Sequence, residues 1–247
     1  MRVPRLSVDV VFKSILIGAA VALPACAAVA DEDDTWRYRV APYLWIATLT
    51  GDFGADGVEG STNSDYSFWA LENLERYWSV HFEARSAKWG WFADALAIEY
   101  RDELDDVMVD TALGVSGYIY EAGMILGLDS VPGLAVLGGV RLIDVEIDVS
   151  LTPGPAGSAR DRWADPFVGV RYTRSLGEKW YLDARGDLGG FGVSSDAQAQ
   201  LVASIGYRFS ERLEAFGGYR FLTVDFGDEL VLDATAEGPG LGFTWSW

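Results

Sequence analysis

Along most of the chain, apolar and polar residues alternate with a period of two. Leu213, Ala215, Gly217, Tyr219 and Phe221 share one face of a stretch whose other face carries Arg212, Glu214, Phe216, Gly218 and Arg220. The same pattern sets Leu201, Ala203, Ile205, Tyr207 and Phe209 against Gln200, Ser204 and Arg208. It also sets Trp180, Leu182, Ala184 and Leu188 against Tyr181, Asp183, Arg185 and Asp187. At the end of the chain Leu241, Phe243, Trp245 and Trp247 oppose Gly240, Gly242, Thr244 and Ser246. Such alternation marks β-strands with two chemically different faces. It predicts about ten strands, at residues 36–49, 76–87, 89–101, 108–126, 133–149, 163–175, 179–192, 197–209, 212–224 and 233–247. Eight or twelve strands fit almost as well, because strand ends are the least legible part of such a pattern. Tight connections near Ser86-Ala87-Lys88, Asp129-Ser130-Val131-Pro132, Leu176-Gly177-Glu178 and Ser210-Glu211 alternate with mostly longer, more polar ones at 50–75, 102–107, 150–162, 193–196 and 225–232.

Which face meets solvent decides the class. A soluble sandwich turns its apolar faces inward, whereas a membrane barrel turns them out to lipid. Aromatic residues sit at strand ends in Lys88-Trp89-Gly90-Trp91 and Lys179-Trp180-Tyr181, where an interfacial girdle belongs. The charged faces are rich in Gly and Ser, as a crowded interior requires. Every predicted strand can supply the roughly 9–11 residues of a tilted crossing. The longest apolar stretch, 122–143, is interrupted by Asp129, Ser130, Pro132 and Gly133 and contains Arg141. Open sheet edges do not persist in hydrocarbon, so the expectation is an all-β, closed antiparallel transmembrane β-barrel. A soluble periplasmic barrel holding a lipid is the main rival on fold.

The first thirty residues read differently. Arg2, Arg5 and Lys13 precede the apolar run Ile15-Leu16-Ile17-Gly18-Ala19-Ala20-Val21-Ala22-Leu23, and Ala28-Val29-Ala30 precedes the acidic Asp31-Glu32-Asp33-Asp34. This is the layout of a secretory signal peptide cleaved after residue 30, leaving 31–247 as a single exported barrel domain. Cys26, after Leu23-Pro24-Ala25, offers a competing lipoprotein site, but Pro24 fits that site poorly. The formal charge of −18 disfavours a nucleic-acid partner. A single Cys excludes an intramolecular disulfide framework or a Cys-rich zinc site.

The terminal Phe243-Thr244-Trp245-Ser246-Trp247 resembles the C-terminal assembly signal of bacterial outer-membrane barrels, with Phe243, Trp245 and Trp247 as its alternating residues. That signal favours a final Phe, so Trp247 departs from it. Ala41-Pro42-Tyr43-Leu44-Trp45, Gly169-Val170-Arg171-Tyr172 and Gly217-Gly218-Tyr219-Arg220-Phe221 are similar to motifs of small, porin-like proteobacterial outer-membrane proteins. The resemblance spans nearly the whole chain after the leader and implies location and architecture. It implies outer-membrane lipid and lipopolysaccharide as surroundings and the barrel-assembly machinery as a partner during biogenesis. It brings no catalytic residues.

If apolar faces meet lipid, the lumen collects Ser79, His81, Glu83 and Arg85, then Arg141, Asp165 and Arg171, then Asp183, Arg185, Asp187, Arg208, Glu214 and Arg220. These charges can form a paired network that fills a narrow barrel, or a constriction in a pore. An acidic lumen would favour cations. His81 is the one imidazole available to a lipid-modifying enzyme, yet Ser79 and Glu83 on its own strand stand too far off for a nucleophile–base hydrogen bond. No catalytic residue, metal site or cofactor is assigned. Asp52, Asp56 and Gly57 lack the ligand pattern of a calcium loop. The acidic groups Asp102, Glu103, Asp105 and Asp106, and Asp225, Asp228 and Glu229, read as solvated loop tips. Phe68, Leu71 and Leu74 recur at helical spacing beside Trp69, so 66–74 is expected as a short helix, either a lid over the barrel mouth or a rim-packed loop. The function expected is a structural barrel or a narrow passive pore for small solutes or ions. A lipid-modifying enzyme and an adhesive barrel acting through its loops are the alternatives.

Overall fold

The structure is a computed structural model that describes residues 35–55, 58–67, 74–104, 110–152, 156–227 and 230–247. The leader expected at 1–30, Cys26, the loop acids Asp105, Asp106, Asp228 and Glu229, and residues 68–73 of the expected helix lie outside these. Among the described residues there are twelve strands and no helix: β1 (Arg37–Trp45), β2 (Thr48–Ala55), β3 (Val58–Ser67), β4 (Leu74–Arg85), β5 (Trp89–Leu104), β6 (Asp110–Gly127), β7 (Leu134–Thr152), β8 (Ala156–Ser175), β9 (Trp180–Gly190), β10 (Ala197–Arg208), β11 (Leu213–Gly227) and β12 (Leu230–Ser246). Ten of them, β1 and β4 to β12, pair antiparallel with their neighbours, and β1 pairing with β12 closes the ring. An even-stranded antiparallel barrel has no free edge, which is what hydrocarbon demands.

The remaining two strands correct the sequence reading of 50–75 as a loop. After a break at Ile46-Ala47 the chain continues as β2, which pairs with the upper part of β12 from Thr48↔Glu237 to Ala55↔Leu230, and β3 folds back on β2. The expected helix is absent at its first two positions, since Tyr66 and Ser67 end β3, and Leu74 already begins β4. Residues 150–162 are likewise mostly strand: β7 and β8 pair as far as Ser150↔Ala156.

The tight connections lie at one rim. Ser86 N–H donates to the Trp89 carbonyl at 2.8 Å, Leu176 N–H to that of Trp180 at 2.8 Å and Ser210 N–H to that of Leu213 at 3.2 Å. Gly133, with φ +85°, closes the turn after β6, and a Cβ there would stand 2.1 Å from the Thr173 carbonyl oxygen. Both chain ends meet at this rim too: Tyr38 and Trp247 exchange backbone hydrogen bonds of 3.0 and 3.1 Å, and their rings stack at 5.8 Å. The rim carries further aromatic pairs, Trp36 on Trp89 at 4.9 Å, Phe82 on Trp91 at 5.1 Å and Trp180 on Tyr207 at 4.9 Å.

Above that girdle the outer surface is apolar, with Val168, Val170, Leu188, Leu201, Ile205, Leu241 and Phe243 all exposed. On β8 the outward positions run Tyr172, Val170, Val168, Pro166 and Ala164 before the first outward charge, Arg162. At about 3.3 Å per residue and a tilt of about 40°, that stretch covers roughly 25 Å, the height of an outer-membrane apolar band. Beyond it the outside turns polar: Arg160 and Arg162 pair with Asp144 at 3.0 and 3.4 Å, and Arg76 pairs with Glu99 at 2.8 Å.

Candidate functional site

The interior has three tiers. At the tight-turn end, Arg171 bridges Glu83 at 2.5 Å and Asp183 at 3.0 Å, with Thr173 also donating to Asp183 at 2.8 Å. Beside them Glu214 holds both Arg39 at 2.6 Å and Arg208 at 3.2 Å, and the Arg208 guanidinium lies 4.8 Å from the centre of the Tyr181 ring. Arg85 approaches Glu83 to 3.7 Å. Tyr181 can lie across β10 only because residue 206 is Gly; a Cβ there would stand 2.0 Å from the ring.

The middle tier centres on Glu121. Its carboxylate pairs with Arg141 at 2.8 Å, Arg185 at 2.9 Å and Arg220 at 3.5 Å. Asp187 takes the other side of Arg141 at 2.7 Å and of Arg185 at 2.8 Å. Two glutamines complete the lattice: Arg141 donates to Gln198 at 3.2 Å and Arg220 to Gln200 at 2.9 Å. From Arg220 the chain of bonds runs to the Tyr43 hydroxyl at 3.2 Å, from Tyr43 to Asp94 at 2.8 Å, and from Asp94 to His81 Nδ1 at 3.1 Å. Asp165, fully buried, accepts from the backbone N–H groups of Ser194 and Ser195, from the Ser195 hydroxyl at 2.7 Å and from Gln198 at 2.7 Å. It thereby pins the β9–β10 connection against β8. Phe92 and Phe167 pack beneath, each ring 5.1–5.2 Å from the Arg185 guanidinium, within an apolar cluster with Ile125, Ala135 and Leu137.

The third tier reverses the chemistry. Trp45, Leu96, Ile143, Trp163, Leu222, Val224 and Phe226 form a buried apolar cluster, and Trp163 stacks on Phe226 at 4.4 Å across the mouth. These residues stand level with the outward charges Asp144 and Arg162. Where lipid surrounds the wall, apolar residues face out and charges face in. Where water surrounds it, the same alternation carries charges out and apolar residues in. A cavity of about 190 Å³ lies below this plug, bordered by Tyr43, Trp45, His81, Glu121, Arg185 and Arg220 among others.

Polar inside, apolar and girdled outside, with the ring of ten strands closed by β1 against β12: lipid is what makes that arrangement stable. This is an outer-membrane β-barrel. No protein-family model matches the chain, and no functionally curated protein is similar to it in sequence. Solved structures resemble it in fold. They include the attachment invasion locus protein Ail of Yersinia pestis, with 12% identity and a TM-score of 0.41, covering 86% of this chain and 98% of that one. The translocator domain of autotransporter NalP from Neisseria meningitidis has 12% identity and a TM-score of 0.37, covering 95% and 96%. The transport unit of the autotransporter AIDA-I from Escherichia coli has 8% identity and a TM-score of 0.42, covering 93% and 97%. Likeness at this level carries no ligand or activity over to this chain.

His81, Glu83, Arg85, Arg141, Asp165, Arg171, Asp183, Arg185, Asp187, Arg208, Glu214 and Arg220 all face the interior and enter the pairings above. Alternation also points inward at Arg39, Asp94 and Glu121, which the sequence reading left out of the lumen charges, and at Tyr43 and Gln198. An acidic lumen is not what the strands hold. Among the described residues of the two charged tiers, Arg39, Arg85, Arg141, Arg171, Arg185, Arg208 and Arg220 are equal in number to Glu83, Asp94, Glu121, Asp165, Asp183, Asp187 and Glu214. Ser79 donates to the Tyr43 carbonyl instead of bonding His81, and His81 lies between Asp94 and Glu83. Phe243, Trp245 and Trp247 face outward on the strand that closes the ring.

Proposed function

We propose that this barrel is a narrow, passive outer-membrane conduit, held shut at rest to all but small solutes. The observation that carries the reading is the juxtaposition of a cavity of about 190 Å³, bordered by both charged and apolar side chains, with the Trp163–Phe226 plug above it. A polar solute crossing the lumen meets matched charges of both signs, so passage depends on size more than on the sign of charge. In this reading the chain is not an enzyme, and His81 is a structural member of the charge lattice. Lipid and lipopolysaccharide contact the outward band, and Phe243, Trp245 and Trp247 present the assembly machinery with an accessible apolar edge.

Solute-driven swelling of proteoliposomes tests it. Slow entry of glycerol with exclusion of sucrose is expected, and replacing both Trp163 and Phe226 by Ala speeds glycerol entry. Rapid sucrose entry through the unaltered protein would overturn the proposal.

A further inference from the structure

Pro42 of β1 stands opposite Val80 of β4, and there the ladder between these two strands ends. Proline has no N–H to contribute, so it is a natural end to strand pairing. Beyond it β1 stays with β12, through Tyr43↔Gly242 and Trp45↔Gly240, and Ile46 N–H donates to the Pro239 carbonyl at 2.9 Å. β4 continues with β5, through Ser79↔Leu96 and Tyr77↔Ile98. The wall between β1 and β4 is closed there by side chains. Trp45 N–H donates to the Tyr77 hydroxyl at 2.7 Å, that hydroxyl donates to Ser79 Oγ at 3.2 Å, and the Ser79 hydroxyl donates to the Tyr43 carbonyl. This relay satisfies the β1 backbone without any backbone bond across the seam. Rotating two hydroxyls unlatches it, whereas parting a ladder elsewhere in the ring breaks several backbone bonds at once.

The seam lies at a telling depth. Val80 and Trp78 point outward within the apolar band, and Arg76, two positions on, is the first outward charge of β4. The split therefore opens toward the hydrocarbon of the leaflet on the long-connection side. The lumen cavity is bordered on the β1 side of the seam by Tyr43 and Trp45, and next to the seam, where the ladder is still paired, by Ala41 of β1 and His81 and Glu83 of β4. The cavity also has apolar walls, from Phe92, Ile125 and Val202. Trp45, only 5% exposed, also borders it, and its buried indole N–H has no hydrogen-bond partner.

We propose that the β1–β4 seam beyond Pro42 is a lateral portal through which a short single-chain amphiphile with a hydrogen-bond-accepting head enters the lumen cavity from the outer leaflet. The cavity is smaller than the roughly 300–1,000 Å³ of sites for drug-sized ligands, which sets the size of the occupant. Apolar walls suit its chain, and the unused Trp45 donor suits a carboxylate or hydroxyl head. The Trp163–Phe226 stack stands on the side of the aqueous mouth, so the membrane side is the approach proposed for such a molecule. The inference rests on the barrel's place in the membrane and not on its conducting solutes.

A diazirine-bearing decanoic acid in phosphatidylcholine vesicles holding the reconstituted protein reads this directly, with labelled residues mapped by mass spectrometry. Labelling of Ala41 and Tyr43 is expected. In the double variant Leu44→Cys with Trp78→Cys, which locks the next outward pair across the seam, oxidation should cut lumen labelling about tenfold and reductant should restore it. Labelling of lipid-facing Val168 and Phe243 stays constant as the internal control. Tyr77→Phe keeps the ring but removes the relay, so it should raise lumen labelling, and it serves if the double variant does not fold. Equal lumen labelling in locked and unlocked protein, or labels confined to Val168 and Phe243 throughout, would overturn the portal. Lumen labelling that responds to the lock while glycerol entry is absent would retain the portal and remove the conduit.

Discussion

Glu121 shows what one residue does in this interior. Its carboxylate is shared by three arginines, two of which are also tied to Asp187. Bringing these groups out of water is costly, and only their mutual attraction offsets it. Glu121→Ala leaves Arg141, fully buried, short of a counter-charge and should cost about 3–5 kcal/mol in urea unfolding from vesicles. The combined Glu121→Leu and Arg141→Met change removes charge from both sides and should cost far less than the single change. A loss under about 1 kcal/mol for Glu121→Ala would mean water reaches the lattice. Gly206 makes a second test at this scale. Gly206→Val forces the Tyr181 ring off β10 and away from Arg208, costing about 1–3 kcal/mol as overpacking does. By contrast Gly217→Ala, with its nearest neighbour 3.8 Å from the added carbon, should leave stability unchanged.

Among the elements, β12 has the most to do. It closes the ring against β1, pairs with β11 along its length and carries β2 on its upper end. Trp247 anchors the closure through two backbone bonds to Tyr38 and a stacked ring. Deleting Trp247 should slow barrel closure in refolding followed by gel mobility, while Trp247→Phe, which keeps the ring and the backbone bonds, should refold as the parent does. Equal rates for the deletion and the parent would remove that role. The ten strands of the ring were legible because membrane on one side and charge on the other impose a strong period of two. The β2–β3 hairpin was not, because Val58-Glu59-Gly60-Ser61-Thr62-Asn63-Ser64-Asp65 is polar at nearly every position and shows no apolar face. Its pairing comes from the overhanging end of β12, a long-range partner that local pattern does not reveal. Arg39 and Asp94 could have been found: each is a charge on an inward position of an alternating run, Arg39 with Ala41 and Tyr43, Asp94 between Phe92 and Leu96.

For the molecule as a whole, one pleat serves two solvents. The backbone alternation continues unbroken through Arg141, Leu142, Ile143 and Asp144 of β7, yet the chemistry of its two faces exchanges as the wall leaves the lipid. A period of two is identical on both sides of that exchange, which is why the apolar plug was hidden in a sequence whose lumen charges were plain. The formal charge of −18 likewise says nothing of the interior, where the signs of the strand residues match. In the proposed conduit the plug is the outer barrier at rest, in series with the charge lattice below it. Single-channel recording in a planar bilayer, comparing the protein with its Trp163→Ala and Phe226→Ala double variant, tests that most directly. Small, infrequent steps from the protein and larger, frequent ones from the variant, both with little preference between potassium and chloride, are predicted. Equal conductance in the two, or strong selectivity for either ion, would contradict it.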